Sequence, residues 1–286
     1  PLGTLALIAL FPLSGATFYV ELTTKIMIMA IFALSLDLLV GWTGLVSFGH
    51  AAFFGVGAYA LALLSPKAAA AGLWSSLGIA VVAAALCALV VGIFVLRTRG
   101  IYFIMVTLAF AQMFYFVFHD TDFGGGSDGR YVNLKPDASI LGFTPFDLDK
   151  PNQIYYVVLA VLVLVFAFLQ MVLRSPFGRA LQGIKANEQR MRALGYPVTA
   201  YKLAAFTLAG ALAGYLLAAQ SGFVNPEILS WHQSGNVLLM VILGGAGTPY
   251  GPIVGAFALT MLHEFFSSVT RHWQLFLGAA IVLIVL

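Results

Sequence analysis

The chain has 286 residues, of which 61% are hydrophobic and only 9% are charged. A soluble domain contains about 45–50% apolar and about 25% charged residues, so a soluble globule with this composition would have a largely apolar surface. The composition therefore argues against a soluble enzyme, a nucleic-acid-binding protein and a disordered chain. It predicts an integral membrane protein whose surroundings are the lipid bilayer and whose partners include no nucleic acid.

Stretches without charge divide the chain into predicted membrane elements. A helix needs about 20 apolar residues to cross a bilayer, and four stretches fit one span each: 73–96, 101–119, 153–173 and 203–220. Two longer stretches are not single helices. The stretch 26–64, whose one charge is Asp37, is too long for one helix and is predicted to break at residues 41–44. The stretch 228–263 is broken by the glycines and prolines of residues 244–252. A last segment, 273–286, is too short to cross, and the natural chain is expected to extend past both ends. The fold class predicted over residues 1–286 is all-α, a single polytopic bundle of about 8–10 transmembrane or broken and re-entrant helices.

The loops predict the orientation of this bundle. Residues 174–202 contain six Lys and Arg residues against one acidic residue, whereas residues 120–152 contain six Asp residues against three basic ones. Lys and Arg accumulate in cytoplasmic loops. We therefore expect 174–202 to lie in the cytoplasm and 120–152 to lie outside.

The basic loop contains the pattern of a short helix over residues 187–195. Asn187 is suited to accept a hydrogen bond at the helix start, and Glu188 lies near the positive end of the helix dipole. Gly195 suits the left-handed conformation that ends a helix, and Pro197 prevents its continuation. This element is either an ordinary structured loop or a helix on which a cytoplasmic partner docks.

Polar residues inside apolar stretches are candidates for a translocation pathway. Asp37 lies either in the pathway or near the cytoplasmic interface, and His50, which follows Ser47, lies either in a polar pathway or in a hydrogen bond between helices. The segment that contains Gly244, Gly245, Gly247 and Thr248 is predicted to be unwound, so it either lines the route or forms a dry packing corner. No metal site is predicted, because His263-Glu264 lacks the second histidine of H-E-x-x-H.

Four glycines are predicted to pack helices closely. Small residues four positions apart allow helix backbones to approach in lipid. Gly210 and Gly214 show this spacing in the stretch 203–220, and Gly251 and Gly255 show it after the broken segment.

Three runs of residues resemble the M-type permease subunit of branched-chain amino acid ABC importers. They are LSLDLLVGWTGLVSFGHAAFFGVGAYALALL (34–64), GRALQGIKANEQRMRALGYPVTAYKLAAF (178–206) and VILGGAGTPYGPIVGAF (241–257). The run GGGSDG (124–129) fits the external loop of that family. The family also includes importers of urea and short amides. The resemblance therefore implies an ABC importer permease but leaves the transported solute open.

The resemblance implies an assembly in the inner (plasma) membrane of a prokaryote. This chain would form a heterodimer with a homologous permease chain and work with two cytoplasmic ATPase subunits and an external solute-binding protein. The chain contains no Gly-Lys pair and hence no G-x-x-x-x-G-K-[ST] phosphate loop. We therefore expect no catalytic residues and no cofactor in this chain, with ATP and Mg bound by the ATPase subunits.

By the same resemblance the helix at 187–195 is the coupling helix that contacts an ATPase subunit. Met191 and Leu194 would supply apolar contact, surrounded by Arg190, Arg192 and Glu188. Its expected residues are Asn187, Glu188, Arg190, Met191, Arg192, Leu194 and Gly195. Transport would then proceed by alternating access. A stand-alone secondary transporter or channel for a small polar solute is the alternative that the broken segments also suit.

Overall fold

The computed structural model describes residues 11–14, 17–65, 72–132, 136–137, 150–211, 214–269 and 272–285. Two short strands, β1 (Arg130–Tyr131) and β2 (Phe223–Val224), pair antiparallel. The α-helices within the described ranges are α1 (Thr17–Thr43), α2 (His50–Leu64), α3 (Leu73–Val95), α4 (Ile101–Asp120), α5 (Pro151–Arg174), α6 (Pro176–Ala186), α7 (Glu188–Ala193), α8 (Val198–Ala211), α9 (Tyr215–Ser221), α10 (Trp231–Gly244), α11 (Gly251–Val269) and α12 (Trp273–Val285).

The predicted helical membrane bundle is confirmed. Among the described residues, six stretches are helical, long enough and apolar enough to cross a membrane: α1, α3, α4, α5, α8 with α9, and α11. Both long stretches are broken as predicted, since α10 ends at Gly244 before α11 begins at Gly251. The first break, however, lies at residues 44–49 rather than 41–44, because α1 continues to Thr43 and α2 begins at His50.

The predicted span 203–220 is confirmed as the crossing stretch Val198–Ser221, but it differs from a single regular helix in two respects. Its helix begins earlier, at Val198, and a second helix, α9, begins after Gly214. Gly214 has a φ of 117°, a conformation that residues with a Cβ rarely adopt and that a regular helix does not contain. The span is therefore two helical segments rather than one.

Two helices form the centre of the bundle. Helix α1 is buried on all sides over residues 26–39, and it packs against α5, α8, α10 and α11. Helix α2 packs against α3 and α9 and against the 3-10 helix Pro226–Leu229. The helices around this centre leave large apolar side chains exposed, including Leu86 and Val90 on α3 and Met105 and Phe116 on α4. Such a surface suits lipid rather than water.

The bundle has a basic end and an acidic end. We define the basic end by the turn at Arg97–Gly100 and by α6 and α7, which an ion pair between Arg99 and Glu188 joins. The acidic end, at the other end of α4, carries Asp120, Asp122 and the β1–β2 pair. Residues 133–135 and 138–149 of the predicted external loop lie outside the described residues.

The four glycines that were predicted to pack helices all lie at close approaches. A Cβ on Gly210 would overlap Ala88 of α3, and a Cβ on Gly214 would overlap the Phe54 carbonyl of α2. In the same way Gly251 lies against the Gly244 carbonyl and Gly255 against the Met240 carbonyl, so that α11 packs directly on α10. The contacts of Gly251 and Gly255 hold the short helix α10 against α11.

Candidate functional site

A short capped helix projects from the basic end. Asn187 Oδ1 accepts a hydrogen bond of 2.9 Å from the backbone N–H of Arg190, and Gly195 ends the helix with a φ of 86°. Both features follow from local chemistry, since Asn is a strong N-cap and Gly a favoured C-terminal residue. The predicted helix is therefore present as α7, and it follows directly on the longer helix α6, which the sequence reading did not predict.

Glu188, which was predicted to surround the apolar contact of Met191 and Leu194, is engaged by basic residues of this chain. Its carboxylate pairs with Lys202 of α8 at 2.7 Å and with Arg192 at 2.6 Å, and it lies 3.5 Å from Arg99. Glu188 thus ties the short helix to α8 and to the turn between α3 and α4. Arg192 belongs to the same cluster, so two of the predicted contact residues have a structural role here.

The charges around Glu188 change its ionisation. Partial burial opposes ionisation, but the hydrogen bond and charge of Lys202, with Arg99 and Arg192, outweigh it and hold the pKa of the Glu188 carboxyl below its ordinary value. A carboxyl with a lowered pKa in the folded state stabilises the fold above its unfolded pKa, about 4.3 for Glu. This stabilisation is lost as the pH falls through the folded-state pKa.

Replacement Glu188→Gln is expected to lower the Tm of the purified protein by about 2 °C at pH 7, since a partly exposed ion-pair cluster contributes on the order of 1 kcal/mol. The difference from the parent protein should shrink as the pH falls below about 4. Thermal unfolding followed between pH 3 and pH 7 measures this, with the exposed Glu21→Gln as a matched control. A Tm difference that stays constant across this range would contradict the assignment.

The two predicted apolar contacts of α7 have different environments. Met191 packs back onto α6, where a Cβ added to Gly183 would lie 2.8 Å from the Met191 sulfur. Leu194 instead is 64% exposed and Tyr196 is 41% exposed, and Arg190 is also exposed. The surface available to a partner is therefore formed by Arg190, Leu194 and Tyr196, which we call the α7 surface.

The broken segment is non-helical over residues 245–250, as predicted, and it forms a turn at the basic end. Thr248 Oγ1 accepts a hydrogen bond of 3.1 Å from the Gly251 N–H and donates one of 2.7 Å to the Gly245 carbonyl, so it caps α11. Gly245 and Gly247 both have positive φ, which the turn requires. Ala246 and Thr248 are exposed at this turn.

Asp37 of α1 forms a hydrogen bond with this turn. It is only 3% exposed, and its Oδ1 accepts a hydrogen bond of 2.8 Å from the Gly247 N–H. Next to it, Lys185 of α6 donates a bond of 2.6 Å to the Gly41 carbonyl. Asp37 thus lies near the basic end as predicted, but it is buried in a junction rather than solvated, and that junction connects α6 with α1.

His50 and Ser47 also connect helices in the interior. His50 Nε2 lies 2.9 Å from Ser35 Oγ of α1, and its ring stacks on Phe32. Ser47 Oγ accepts a bond of 3.2 Å from the Gly49 N–H and so shapes the turn before α2. Of the two possibilities left open for His50, the hydrogen bond between helices is the one that is observed.

A polar cavity of about 680 Å³ lies on the acidic-end half of α4, and sequence reasoning missed it. The polar residues that line it come from three segments: Gln112, Tyr115, Asn225, Glu227, Ser230, His232, Gln233 and Asn236. The volume lies within the range of ordinary small-molecule sites. We call this space the polar cavity.

The sequence held one signal for this cavity. The segment 225–236, NPEILSWHQSGN, is polar, although most of it falls inside a charge-free stretch. A contact with α2 holds this segment in position. Ser234 Oγ accepts a hydrogen bond of 2.9 Å from the Ala51 N–H, so the first turns of α2 and α10 lie in contact. Glu227, His232 and Asn236 remain exposed.

Comparisons with known proteins agree with these features. A family model described as branched-chain amino acid transport system, permease component, matches residues 18–286. The high-affinity branched-chain amino acid transport system permease proteins LivM of Salmonella typhimurium and of Escherichia coli K12 are 32% and 33% identical to this chain, and each match covers 93% of the chain and 68% of the relative. The autoinducer 2 import system permease protein LsrC of Photorhabdus laumondii is 28% identical over 170 residues, covering 56% of the chain and 50% of that protein. No solved structure matches the chain.

Proposed function

The chain belongs to the family of permease components of branched-chain amino acid transport systems, and from this premise we propose that it passes a branched-chain amino acid inward as one subunit of an ATP-driven importer. The chain is an ABC importer permease, and its machinery would be shared with separate ATPase subunits and an external solute-binding protein. A related small polar solute, such as the urea or short amides that the resemblance also allows, is the alternative cargo.

The observation that carries the proposal is the arrangement of α7. Its inner side is held by the ion pairs of Glu188, and its outer side, the α7 surface, is exposed at the basic end. A short rigid helix with one free, partly apolar face suits insertion into a groove on another protein. We assign this face to the contact with an ATPase subunit on the cytoplasmic side.

The junction around Lys185 supplies a route by which movement of α7 would reach the membrane helices. Lys185 lies two residues before the Asn187 cap and holds the end of α1 through the Gly41 carbonyl. Asp37 then holds the turn between α10 and α11 to the same end of α1. A displacement of α7 would therefore act on α1, α10 and α11 together, as alternating access requires.

The polar cavity supports a second permease chain as partner. Glu227, His232 and Asn236 are exposed on a bundle whose other faces are apolar, and burying such groups in lipid is costly. They must therefore face water or protein. A homologous permease chain placed on this side would enclose a polar route between the two chains, in the inner membrane of a prokaryotic cell.

The remaining tasks belong to other subunits in this proposal. ATP and Mg would be bound by the two ATPase chains at the basic end, while the acidic end would receive the solute-binding protein. This chain would bind no cofactor and perform no covalent chemistry; its own residues would position the route and transmit movement.

Reconstitution of the coexpressed subunits into proteoliposomes tests the proposal. We expect native mass spectrometry after mild detergent extraction to show two related permease chains with two ATPase chains. Uptake of leucine should require both ATP and the solute-binding protein, and binding measurements on that protein with leucine, urea and short amides would identify the cargo. Uptake by this chain alone, driven only by an ion gradient, would instead support a secondary transporter.

A further inference from the structure

We propose that the polar cavity receives the cationic group of the solute at the carboxylate of Glu227. This inference rests on the proposed function and adds the residue that interacts with the cargo inside the permease. The cargo it implies is a zwitterion with an ammonium group, such as an α-amino acid, rather than a neutral amide.

The Glu227 side chain has no partner in the described part of the protein. Among the described residues, no hydrogen bond or ion pair engages the side chains of Gln112, Glu227 or Asn236. Glu188 and Asp37, by contrast, are fully engaged by neighbours. Glu227 is exposed at the polar cavity, so its carboxylate is available to a ligand or to water in the route.

The backbone that carries Glu227 is held in place. It lies in the 3-10 helix Pro226–Leu229, whose Pro226 and Leu229 are buried. Leu229 is 0% exposed and lies against Gly55 of α2, where a Cβ would not fit. The carboxylate is therefore carried on a backbone that is anchored to the central helix, as a binding residue requires.

The charge of the polar cavity favours a cation. None of the described residues that line it is a lysine or an arginine, so the charge of Glu227 is not compensated from within this chain. The ring of Trp231 adds an aromatic surface beside it, which also favours cations. The neutral amides of Gln112 and Asn236 supply hydrogen-bond donors for the carboxylate of a zwitterion.

The test uses the charge of thiol reagents as a probe in the assembled complex. Cysteine is introduced as Asn236→Cys in a Cys87→Ala background, and its reaction rate is measured with a trimethylammonium-ethyl and a sulfonato-ethyl methanethiosulfonate at low salt. We expect the cationic reagent to be favoured. Adding Glu227→Gln should lower the ratio of the cationic rate to the anionic rate about fivefold, because one nearby charge acts with opposite sign on the two reagents. The matched control, Glu21→Gln at the acidic end, should leave the ratio unchanged.

Uptake provides the second readout. Glu227→Gln should reduce leucine uptake about tenfold while stimulation of ATP hydrolysis by the solute-binding protein persists, and Glu227→Asp should restore part of the uptake. An unchanged reagent ratio, or a cysteine at 236 that no reagent reaches in the complex, would overturn the inference. A parent complex without ATP-dependent uptake would instead overturn the proposed function, and the reagent ratio would still decide whether the cavity prefers cations.

Discussion

Replacement of Leu194 by Asp is expected to abolish productive coupling while leaving the permease folded. The Leu194 side chain is 64% exposed, so the change removes little buried surface and should shift the Tm by less than about 1 °C. If the α7 surface sits in a groove of an ATPase subunit, the same change places a charge in an apolar contact. We expect ATP-dependent uptake in proteoliposomes to fall about tenfold or more, the loss typical of a central interface residue.

Two further variants make this result specific. Thr199→Asp adds the same charge near the start of α8, where the helix dipole favours it, and it should leave uptake nearly unchanged. Met191→Asp removes a side chain that packs against Gly183 of α6, so it should lower the Tm as well as uptake. Leu194→Asp with normal uptake and normal stimulation of ATP hydrolysis would show that α7 does not carry the contact.

The sequence predicted those features that depend on local chemistry. The spans follow from charge-free stretches of about 20 residues, and α7 follows from Asn187 and Gly195, which act on the backbone next to them. The break at residues 245–250 follows from its glycines and prolines in the same way, whereas the first break lies just after the predicted residues 41–44. In each case the signal and the structure that it produces lie within a few residues of each other.

The sequence could not predict features that depend on distant segments. Glu188 was expected to surround a partner contact, but Lys202 comes to it from α8 and Arg99 from the turn between α3 and α4. Asp37 and His50 were each left with two possible roles, because the residues that engage them, Gly247 and Ser35, come from other segments of the chain. Glu227 lies at the boundary of a charge-free stretch, so no site was predicted there, although the fold brings it beside α4.

The break in the span between Val198 and Ser221 shows the same limit, because a Gly-x-x-x-Gly spacing predicts close packing but not a change of direction. Gly214 begins α9 with a φ of 117°, and Gly222 ends it with a φ of 64°. Only the first is crowded: a Cβ on Gly214 would overlap the Phe54 carbonyl of α2, whereas nothing lies within 4 Å of a Cβ on Gly222. The two glycines therefore form a matched pair that separates backbone strain from lost space.

Gly222→Ala should cost about 1–2 kcal/mol, the strain of a left-handed conformation in a residue with a Cβ. Gly214→Ala adds the overlap with a backbone carbonyl in the central helix, which cannot move as a side chain could, so the total should exceed about 3 kcal/mol. We expect Gly222→Ala to yield folded protein with a lowered Tm and Gly214→Ala to yield little monodisperse protein in size-exclusion chromatography. Equal losses for the two variants would mean that α9 is held by backbone strain alone, and that the close approach of Gly214 to α2 does not determine where this span breaks.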